Sequence, residues 1–281
     1  MKLLKKYPSL LNWLKPKLSI EILKCLSLEN KQSELLIGSV LKTFAKKEVL
    51  NLLNSVEMAL EGGYRIICPL NPSYPYSLSY NFLYPTPLLV KGVLYPNKKT
   101  ISVVGSRNCS QLSKKWMSTE FKKFIKSKDN LVIASGGAYG IDQFAHSLSI
   151  QSEIPTYCIL PTGINNIYPS NLIPLCEQII ETKGAVVSPF PPDFPVYKSN
   201  FHFRNRILVL LSDYVFVVEA RRRSGSMMTA SLSSEYGVPL VTLPQPPVNE
   251  FMGNLDLIER GVPFVCSSKD LESWMKSELS N

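Results

Sequence analysis

Histidine and paired cysteines are scarce in this sequence. It has two histidines, and its six cysteines are scattered without any Cys-x-x-Cys pair. Zinc sites need four such ligands at close spacing, and disulfide frameworks belong mainly to small secreted domains, so the pattern argues against both. Scattered thiols suit a reducing compartment. We therefore expect no metal, no cofactor and a cytoplasmic location.

The chain also lacks a long apolar run. Its longest, residues 207–218, is interrupted by Ser212 and Asp213, whereas a membrane-spanning helix needs about 20 apolar residues. The basic start, residues 1–6, is similar to the beginning of a signal peptide, but Pro8 soon interrupts the apolar stretch that such a peptide requires. We expect a protein that is neither inserted in a membrane nor exported.

Acidic residues are outnumbered by basic ones. The chain has 31 Lys and Arg against 22 Asp and Glu, a formal net charge of +9. Between residues 91 and 128, ten basic residues stand against one acid, Glu120. The basic residues are Lys91, Lys98, Lys99, Arg107, Lys114, Lys115, Lys122, Lys123, Lys126 and Lys128. This local excess favours a polyanionic partner and says nothing about the fold.

Three stretches of different composition divide the 281 residues. Residues 1–62 have apolar residues at helical spacing and predict a small helical domain. Residues 63–99 are rich in proline and tyrosine, which argues against long helices and predicts an extended lead-in packed on the next domain. Residues 100–281 alternate short apolar runs with amphipathic stretches and form the third predicted domain.

The alternation after residue 100 predicts a series of strands. They cover residues 100–104, 131–135, 156–160, 185–188, 214–219, 240–243 and a short 264–266. All are apolar throughout, as expected for a sheet covered on both faces, and the stretches between them predict helices. We predict a doubly wound α/β domain with a mainly parallel sheet. Ligands of such sheets bind at the carboxyl ends of the strands.

Two glycine-rich turns follow predicted strands. Gly105-Ser106-Arg107 follows the first, and Gly136 and Gly137 follow the second. A strand-to-helix turn of the first kind leaves backbone N–H groups and a hydroxyl available to a phosphate, and the arginine can add a bidentate contact. The glycines of the second turn are equally consistent with close approach to a ligand and with tight packing of helix on sheet.

Arg204-Asn205-Arg206 stands at the predicted start of an apolar helix. Arginines two residues apart do not share a helix face. We therefore expect one of them to point into the site and the other to hold Glu219 or Asp213 in an ion pair, without choosing between them.

Ser224-Gly225-Ser226 precedes a further predicted helix, whose N-terminus would attract an anion. Three consecutive arginines, residues 221–223, stand immediately before it. Because all these segments lie next to strand ends, we expect them to converge on one phosphate-binding site, with a nucleic acid as its ligand.

His146 follows Asp142 by one helical turn. The pair is consistent with general acid–base chemistry, but a buried, hydrogen-bonded structural pair is the favoured interpretation. Tyr139 and Phe203 are candidates for stacking on a base.

The motifs taken together resemble those of the DprA/Smf family of DNA-processing proteins. They are Tyr74-Pro75, Val104-Gly105-Ser106-Arg107, Ser135-Gly136 with Gly140-Ile141-Asp142 and Ala145-His146, Gly163 with Tyr168-Pro169 and Asn171, Arg204-Asn205-Arg206, Val218-Glu219-Ala220, Ser224-Gly225-Ser226 with Thr229-Ala230, and Leu257-Ile258 with Gly261. The resemblance implies an extended Rossmann-like fold, a basic pocket for single-stranded DNA, a homodimer, and delivery of the strand to the recombinase RecA during natural transformation. The winged-helix domain that many members carry at the C-terminus is not expected here.

Several positions depart from the family pattern. Tyr139 replaces an arginine, Asn165 an aspartate, Ser170 a basic residue, Pro189 a glutamate and Gln245 a glycine. The first hypothesis is a non-enzymatic protein that binds single-stranded DNA. The alternatives are a nucleotide hydrolase or phosphoribohydrolase with Glu219 as base, and a scaffold that has lost DNA binding. The candidate dimer contact comprises Leu255, Leu257, Ile258, Val262 and Phe264, each of which is equally consistent with ordinary core packing.

Overall fold

The computed structural model describes residues 45–69, 71, 74–81, 86–246 and 251–280, together with Leu10 and Trp13. The helical pattern before residue 45 lies outside these described residues. The described part is an eight-stranded sheet with helices on both faces.

The strands are β1 (Arg65–Ile67), β2 (Leu88–Gly92), β3 (Lys99–Gly105), β4 (Leu131–Ser135), β5 (Thr156–Ile159), β6 (Ala185–Ser188), β7 (Tyr214–Glu219) and β8 (Leu240–Thr242). The helices are α1 (Lys46–Glu61), α2 (Tyr76–Asn81), α3 (Gln111–Trp116), α4 (Lys122–Lys126), α5 (Ile141–Gln151), α6 (Ile173–Glu181), α7 (Lys198–Leu210), α8 (Gly225–Glu235), α9 (Met252–Glu259) and α10 (Ser268–Ser280). A π-helical turn, Met117–Phe121, joins α3 and α4 into one continuous helix. Short 3-10 turns lie at Ile164–Asn166 and Ser170–Leu172.

The strand order is β1-β2-β6-β5-β4-β3-β7-β8. Strands β3 to β8 pair in parallel, whereas β2 pairs antiparallel with both β1 and β6. The predicted doubly wound, mainly parallel α/β sheet is therefore confirmed. From β3 the chain first adds strands on one side and then returns to add β7 on the other, so a crevice opens between the carboxyl ends of these two strands.

Apolar side chains of the central strands alternate between two cores. Ile101 and Val103 of β3 pack with Phe121 and the rest of the α3–α4 helix on one face. Val104 packs on the other face, in the cluster that contains Leu208 of α7. All these side chains are buried, which explains why the predicted strands are apolar at every position.

The region before β3, predicted as an extended lead-in packed on the next domain, forms part of the sheet. The Pro- and Tyr-rich stretch contains β1 and β2, which extend the sheet antiparallel at one edge. Leu88, Leu89 and Val90 of β2 are completely buried. Helix α1, from the stretch predicted as a helical domain, packs Val56 into the same apolar cluster as Leu89.

Two predicted boundaries after β6 are wrong. The short strand predicted at residues 264–266 is only a single parallel bridge between Thr242 and Phe264, and the Phe264 side chain is exposed. Helix α7 begins at Lys198 and not at Phe203. None of the helices in the described ranges is long and apolar enough to cross a membrane.

Candidate functional site

The crevice between β3 and β7 opens into a cavity of about 350 Å³. The β3–α3 loop, the β7–α8 loop and the middle of α7 enclose it. The predicted site residues that line it are Gly105, Ser106, Arg107, Arg204, Asn205, Ser224, Gly225 and Ser226. The separate segments singled out in the sequence thus meet at one place.

The β3–α3 loop brings Arg107 to the mouth of the cavity. A Cβ at Gly105 would lie 2.4 Å from Cγ1 of Ile141, so only glycine lets the strand end approach α5 this closely. The Ser106 hydroxyl accepts from the Asn108 N–H at 3.2 Å and donates to the Asn108 carbonyl at 3.0 Å, which shapes the turn. The exposed Arg107 guanidinium lies 5.5 Å from the centre of the Phe201 ring, within cation–π range.

Glu219, at the end of β7, anchors the same loop from below. Its completely buried carboxylate accepts hydrogen bonds from the Ser110 N–H at 3.1 Å, the Ser110 hydroxyl at 2.5 Å and the Ser113 hydroxyl at 2.6 Å. Gln245 adds to this network, donating to the Ser113 hydroxyl at 3.0 Å and to the Val218 carbonyl at 2.9 Å. Glu219 therefore holds the start of α3 in place and does not line the cavity.

Arg204 is a buried cation that lines the cavity. Only 4% of its surface is exposed. Its Nη1 lies 4.0 Å from Oδ2 of Asp142 and 3.4 Å from the Ile159 carbonyl, and its Nε has no hydrogen-bond partner among the described residues. Burial lowers the pKa of Arg204, and the nearby Asp142 opposes that shift in part.

Gly136 explains how Arg204 reaches this position. A Cβ at Gly136 would lie 1.2 Å from Nη1 of Arg204, so the guanidinium rests directly on the glycine backbone. Gly137 is packed differently, with Leu172 2.5 Å from where its Cβ would be. Neither glycine lines the cavity, and Arg206 does not line it either. Of the two arginines in the motif, Arg204 is the one that faces the site.

The sequence predicts an ion pair between Glu219 or Asp213 and the arginine that does not face the site, but the partners that the structure shows for these two acids are other residues. Glu219 is held by Ser110 and Ser113, and Asp213 forms its ion pair with Lys99 at 2.7 Å.

The sequence placed the start of α7 at Phe203 and not at Lys198, and this error has a physical reason. The Tyr197 side chain caps no N–H group, so the sequence carries no capping signal where α7 begins.

Asp142 and His146 do not form an acid–base pair. His146 is fully buried, and its Nδ1 lies 2.7 Å from the Thr156 hydroxyl, which donates to the Ile133 carbonyl. Burial, with a smaller contribution from Arg204, lowers the pKa of His146 to about 3. Burial raises the pKa of Asp142, while Arg204 and neighbouring N–H groups oppose the shift.

The β7–α8 loop supplies the opposite wall of the cavity. Ser224 caps α8 by accepting from the Met227 N–H at 3.3 Å, and a Cβ at Gly225 would meet nothing within 4 Å. Asn205 donates to the Gly225 carbonyl at 3.3 Å and so joins this loop to α7. The first N–H groups of α8 and the Arg221 side chain that lines the cavity are suited to an anion.

A second cavity of about 850 Å³ adjoins the first. The lining residues that the two share are Arg107, Phe201, Asn205, Ser224 and Gly225. Beyond them the larger cavity is lined by the exposed Tyr168 and Tyr197, by Lys198, and by Arg222, which is paired with Asp256. Together they form one continuous basic and aromatic groove.

The aromatic residues that line the groove, Phe201, Tyr168 and Tyr197, were not predicted from the sequence as stacking residues. Phe201 lies one helical turn before Arg204. A helix predicted to begin at Lys198 would have placed both side chains on the same helix face. The predicted stacking residue Phe203 instead packs on Phe190, with ring centres 5.5 Å apart, and against the apolar core. Tyr139 is exposed but lines neither cavity. Across the described ranges, no three His, Cys, Asp or Glu side chains are grouped closely enough to hold a metal ion.

Comparison with known proteins places the chain among DNA-processing proteins. A family model described as DNA recombination-mediator protein A matches residues 65–276. Protein Smf of Escherichia coli is 38% identical over 174 residues, which are 62% of this chain and 46% of that protein, so the chain spans about half the length of this relative.

Two solved structures are similar as well. DNA processing protein A from Streptococcus pneumoniae has a TM-score of 0.71 at 27% identity, covering 85% of this chain and 81% of that one. A structure concerning the single-stranded DNA binding mode of DNA processing protein A from Helicobacter pylori has a TM-score of 0.66 at 28% identity, covering 76% of this chain and 96% of that one.

Proposed function

The chain belongs to the DNA recombination-mediator protein A family, also named DprA or Smf, as its motifs predict, and on this premise we propose that it binds single-stranded DNA. In this proposal the protein is not an enzyme. It acts in the cytoplasm, protects incoming strands during natural transformation and helps to load RecA onto them.

The observation that carries the proposal is the state of Arg204. A buried guanidinium is costly unless a nearby anion compensates it, and the carboxylate closest to it, Asp142, is 4.0 Å away. Its Nε finds no partner within the described residues. A phosphate in the adjoining cavity would add a second negative charge to that of Asp142 and accept from the guanidinium and from the N–H groups of the β7–α8 loop.

The groove suits a single strand better than a free nucleotide. A phosphate fits the smaller cavity between Arg107 and Arg204, whereas the larger cavity has room for neighbouring nucleotides. Tyr168 and Tyr197 offer exposed rings on which unpaired bases can stack, while Phe201 lies beside the guanidinium groups of Arg107 and Arg204. Because stacking and phosphate contacts tolerate every base, we expect little sequence preference.

The groove gives less support to the hydrolase alternative. Glu219, its candidate base, is committed to Ser110 and Ser113 beneath the cavity floor. His146 is buried away from the cavity lining. The scaffold alternative requires the departures from the family pattern to weaken the site, yet Gln245 takes part in the network that supports the β3–α3 loop.

A salt titration against single-stranded and duplex oligonucleotides tests the proposal. We expect a clear preference for the single strand and a log Kd that rises by roughly 0.7 per phosphate contact for each tenfold increase in salt. Arg107→Ala should weaken binding to all sequences and reduce that slope by about 0.7. Arg65→Ala, which removes an exposed arginine on β1 that donates to the Gly92 carbonyl at 2.8 Å, is the matched control. Equal binding of duplex, or no binding at low salt, would refute the proposal.

The proposed partners are a second copy of the chain and RecA. In the candidate dimer segment Leu257 is part of the core, and Val262 packs against it, so these two contribute to folding. Leu255 and Ile258 are half-buried and Phe264 is exposed, which leaves these three as the proposed contact. A dimer would join two grooves, so a long strand could occupy both and gain affinity through avidity. The RecA step is tested by following RecA filament formation on a single strand with and without this protein.

A further inference from the structure

The continuous helix from Gln111 to Lys126 carries a basic face outside both cavities. Its lysines are Lys114, Lys115, Lys122, Lys123 and Lys126, and its one acid is Glu120. The helix begins directly after the loop that holds Arg107, with Ser110 as its N-cap. The basic face therefore starts at the rim of the groove.

Four of these lysines form no ion pair in the described part of the protein, although the charge of Lys123 contributes to the lowered pKa of Glu120. They are Lys114, Lys115, Lys123 and Lys126, all exposed and without a carboxylate within 4.0 Å. The acids nearby are engaged elsewhere. Glu120 accepts from the Ser268 N–H at 2.8 Å, Asp270 accepts from two N–H groups at the start of α10, and Glu272 pairs with Lys128.

The π-helical turn keeps these lysines on one side. The buried residues Met117, Phe121 and Ile125 are four apart, and on a regular α-helix each such step drifts by about 40° around the axis. The wider turn at Met117–Phe121 compensates for this drift. All three therefore remain against the sheet, and the lysines before and after the turn remain toward solvent.

We propose that this lysine face binds the backbone of the same single strand beyond the nucleotides held in the groove. The inference rests on the proposed function. The helix has 16 residues and a length of about 24 Å, enough to accompany several nucleotides that leave the groove past Arg107. The charge of the face is complementary to the strand, and the face is continuous with the groove. Lysines act here as mobile point charges, so these contacts are independent of sequence.

The test compares two double variants that lose equal charge. Lys123→Gln with Lys126→Gln removes the far half of the face, where glutamine keeps the helix propensity and no packing is lost. Lys47→Gln with Lys183→Gln removes two exposed lysines from α1 and from the turn before β6. Each is titrated with salt against oligonucleotides of about 6 and about 30 nucleotides, which span the site sizes known for single-strand binders. Light scattering checks that the oligomeric state is unchanged.

For the lysine-face variant we expect unchanged binding of the short oligonucleotide. For the long one, two lost contacts should reduce the salt slope by about 1.4 and the affinity at 0.1 M salt by roughly 25-fold. The control should match the wild type. An unchanged slope with the long strand, or an equal loss in the control, would overturn this inference while leaving the proposed function intact. If the wild type bound neither oligonucleotide, the proposed function itself would fail.

Discussion

Gly136→Ala should disable the site without replacing any residue that lines it. The Cβ of the new alanine would lie 1.2 Å from Nη1 of Arg204, whereas ordinary van der Waals contact begins near 3.4 Å. The guanidinium must therefore move by about 2 Å. Gly136 is not among the glycines with positive φ, so alanine meets no backbone penalty and the effect is one of space alone.

The displaced arginine should cost one charged contact to phosphate. Such a contact contributes about 1.5–3 kcal/mol, which corresponds to an affinity loss of roughly 10- to 150-fold. The salt slope should fall by about 0.7. Fluorescence anisotropy with a labelled single strand measures both, and thermal unfolding shows whether the variant is folded. Gly62→Ala, at the end of α1 with its closest contact at 3.4 Å, is the control.

A double variant decides whether the loss acts through the arginine. Arg204→Ala removes the atoms that the new methyl group would meet, so adding Gly136→Ala to it should change affinity no further. Two losses that simply add would show that Gly136 acts independently of Arg204. Unchanged affinity and slope in folded Gly136→Ala would show that Arg204 does not contact the strand in its present position.

Three further results are expected. His146 has a pKa of about 3 in the folded protein and about 6.5 when unfolded, so the unfolded state binds the extra proton between these values. The free energy of unfolding should therefore fall by about 1.6 kcal/mol from pH 6.5 to pH 5. His146→Gln should remove that contribution in pH-dependent denaturation. Glu219→Gln should lower the free energy of unfolding by about 1–3 kcal/mol because it disrupts the hydrogen bonds to the two serines. Neither the wild type nor this variant should hydrolyse nucleoside mono- or triphosphates in a phosphate-release assay. Turnover by the wild type that is lost in the variant would support the hydrolase alternative. Phe264→Glu and Ile258→Glu should give folded monomers by light scattering that lose far more affinity for long strands than for short ones, and a wild type that is monomeric with DNA bound would contradict the dimer.

The parallel strands could be predicted closely because burial on both faces leaves an unmistakable apolar run. β4, β6 and β7 have the bounds that the sequence indicates. β2 was not predicted, because its apolar run is short and is surrounded by prolines and tyrosines. Its pairing with β6 also joins residues about 95 positions apart in the chain. Local patterns carry no record of such a partner.

The site was predictable to the level of segments but not of roles. The glycine, serine and arginine motifs at strand ends follow from phosphate chemistry and from where parallel sheets bind ligands. Which arginine faces the cavity depends on where α7 begins. No capping residue marks that position in the sequence. The commitment of Glu219 to Ser110 and Ser113 is a contact between residues more than 100 positions apart, so it too needed the folded structure.

The anchoring of the β3–α3 loop by Glu219 has a kinetic consequence. The buried Glu219 carboxylate fixes Ser110 and the start of α3 in the free protein. The conformational entropy of this loop is therefore lost when the chain folds, and binding a ligand does not add that cost. Encounter with a strand then needs no slow rearrangement of this wall. If the protein binds a strand as proposed, we expect the association rate to depend on how the protein's electrostatic field guides the polyanion toward the groove, and to fall as added salt screens that field.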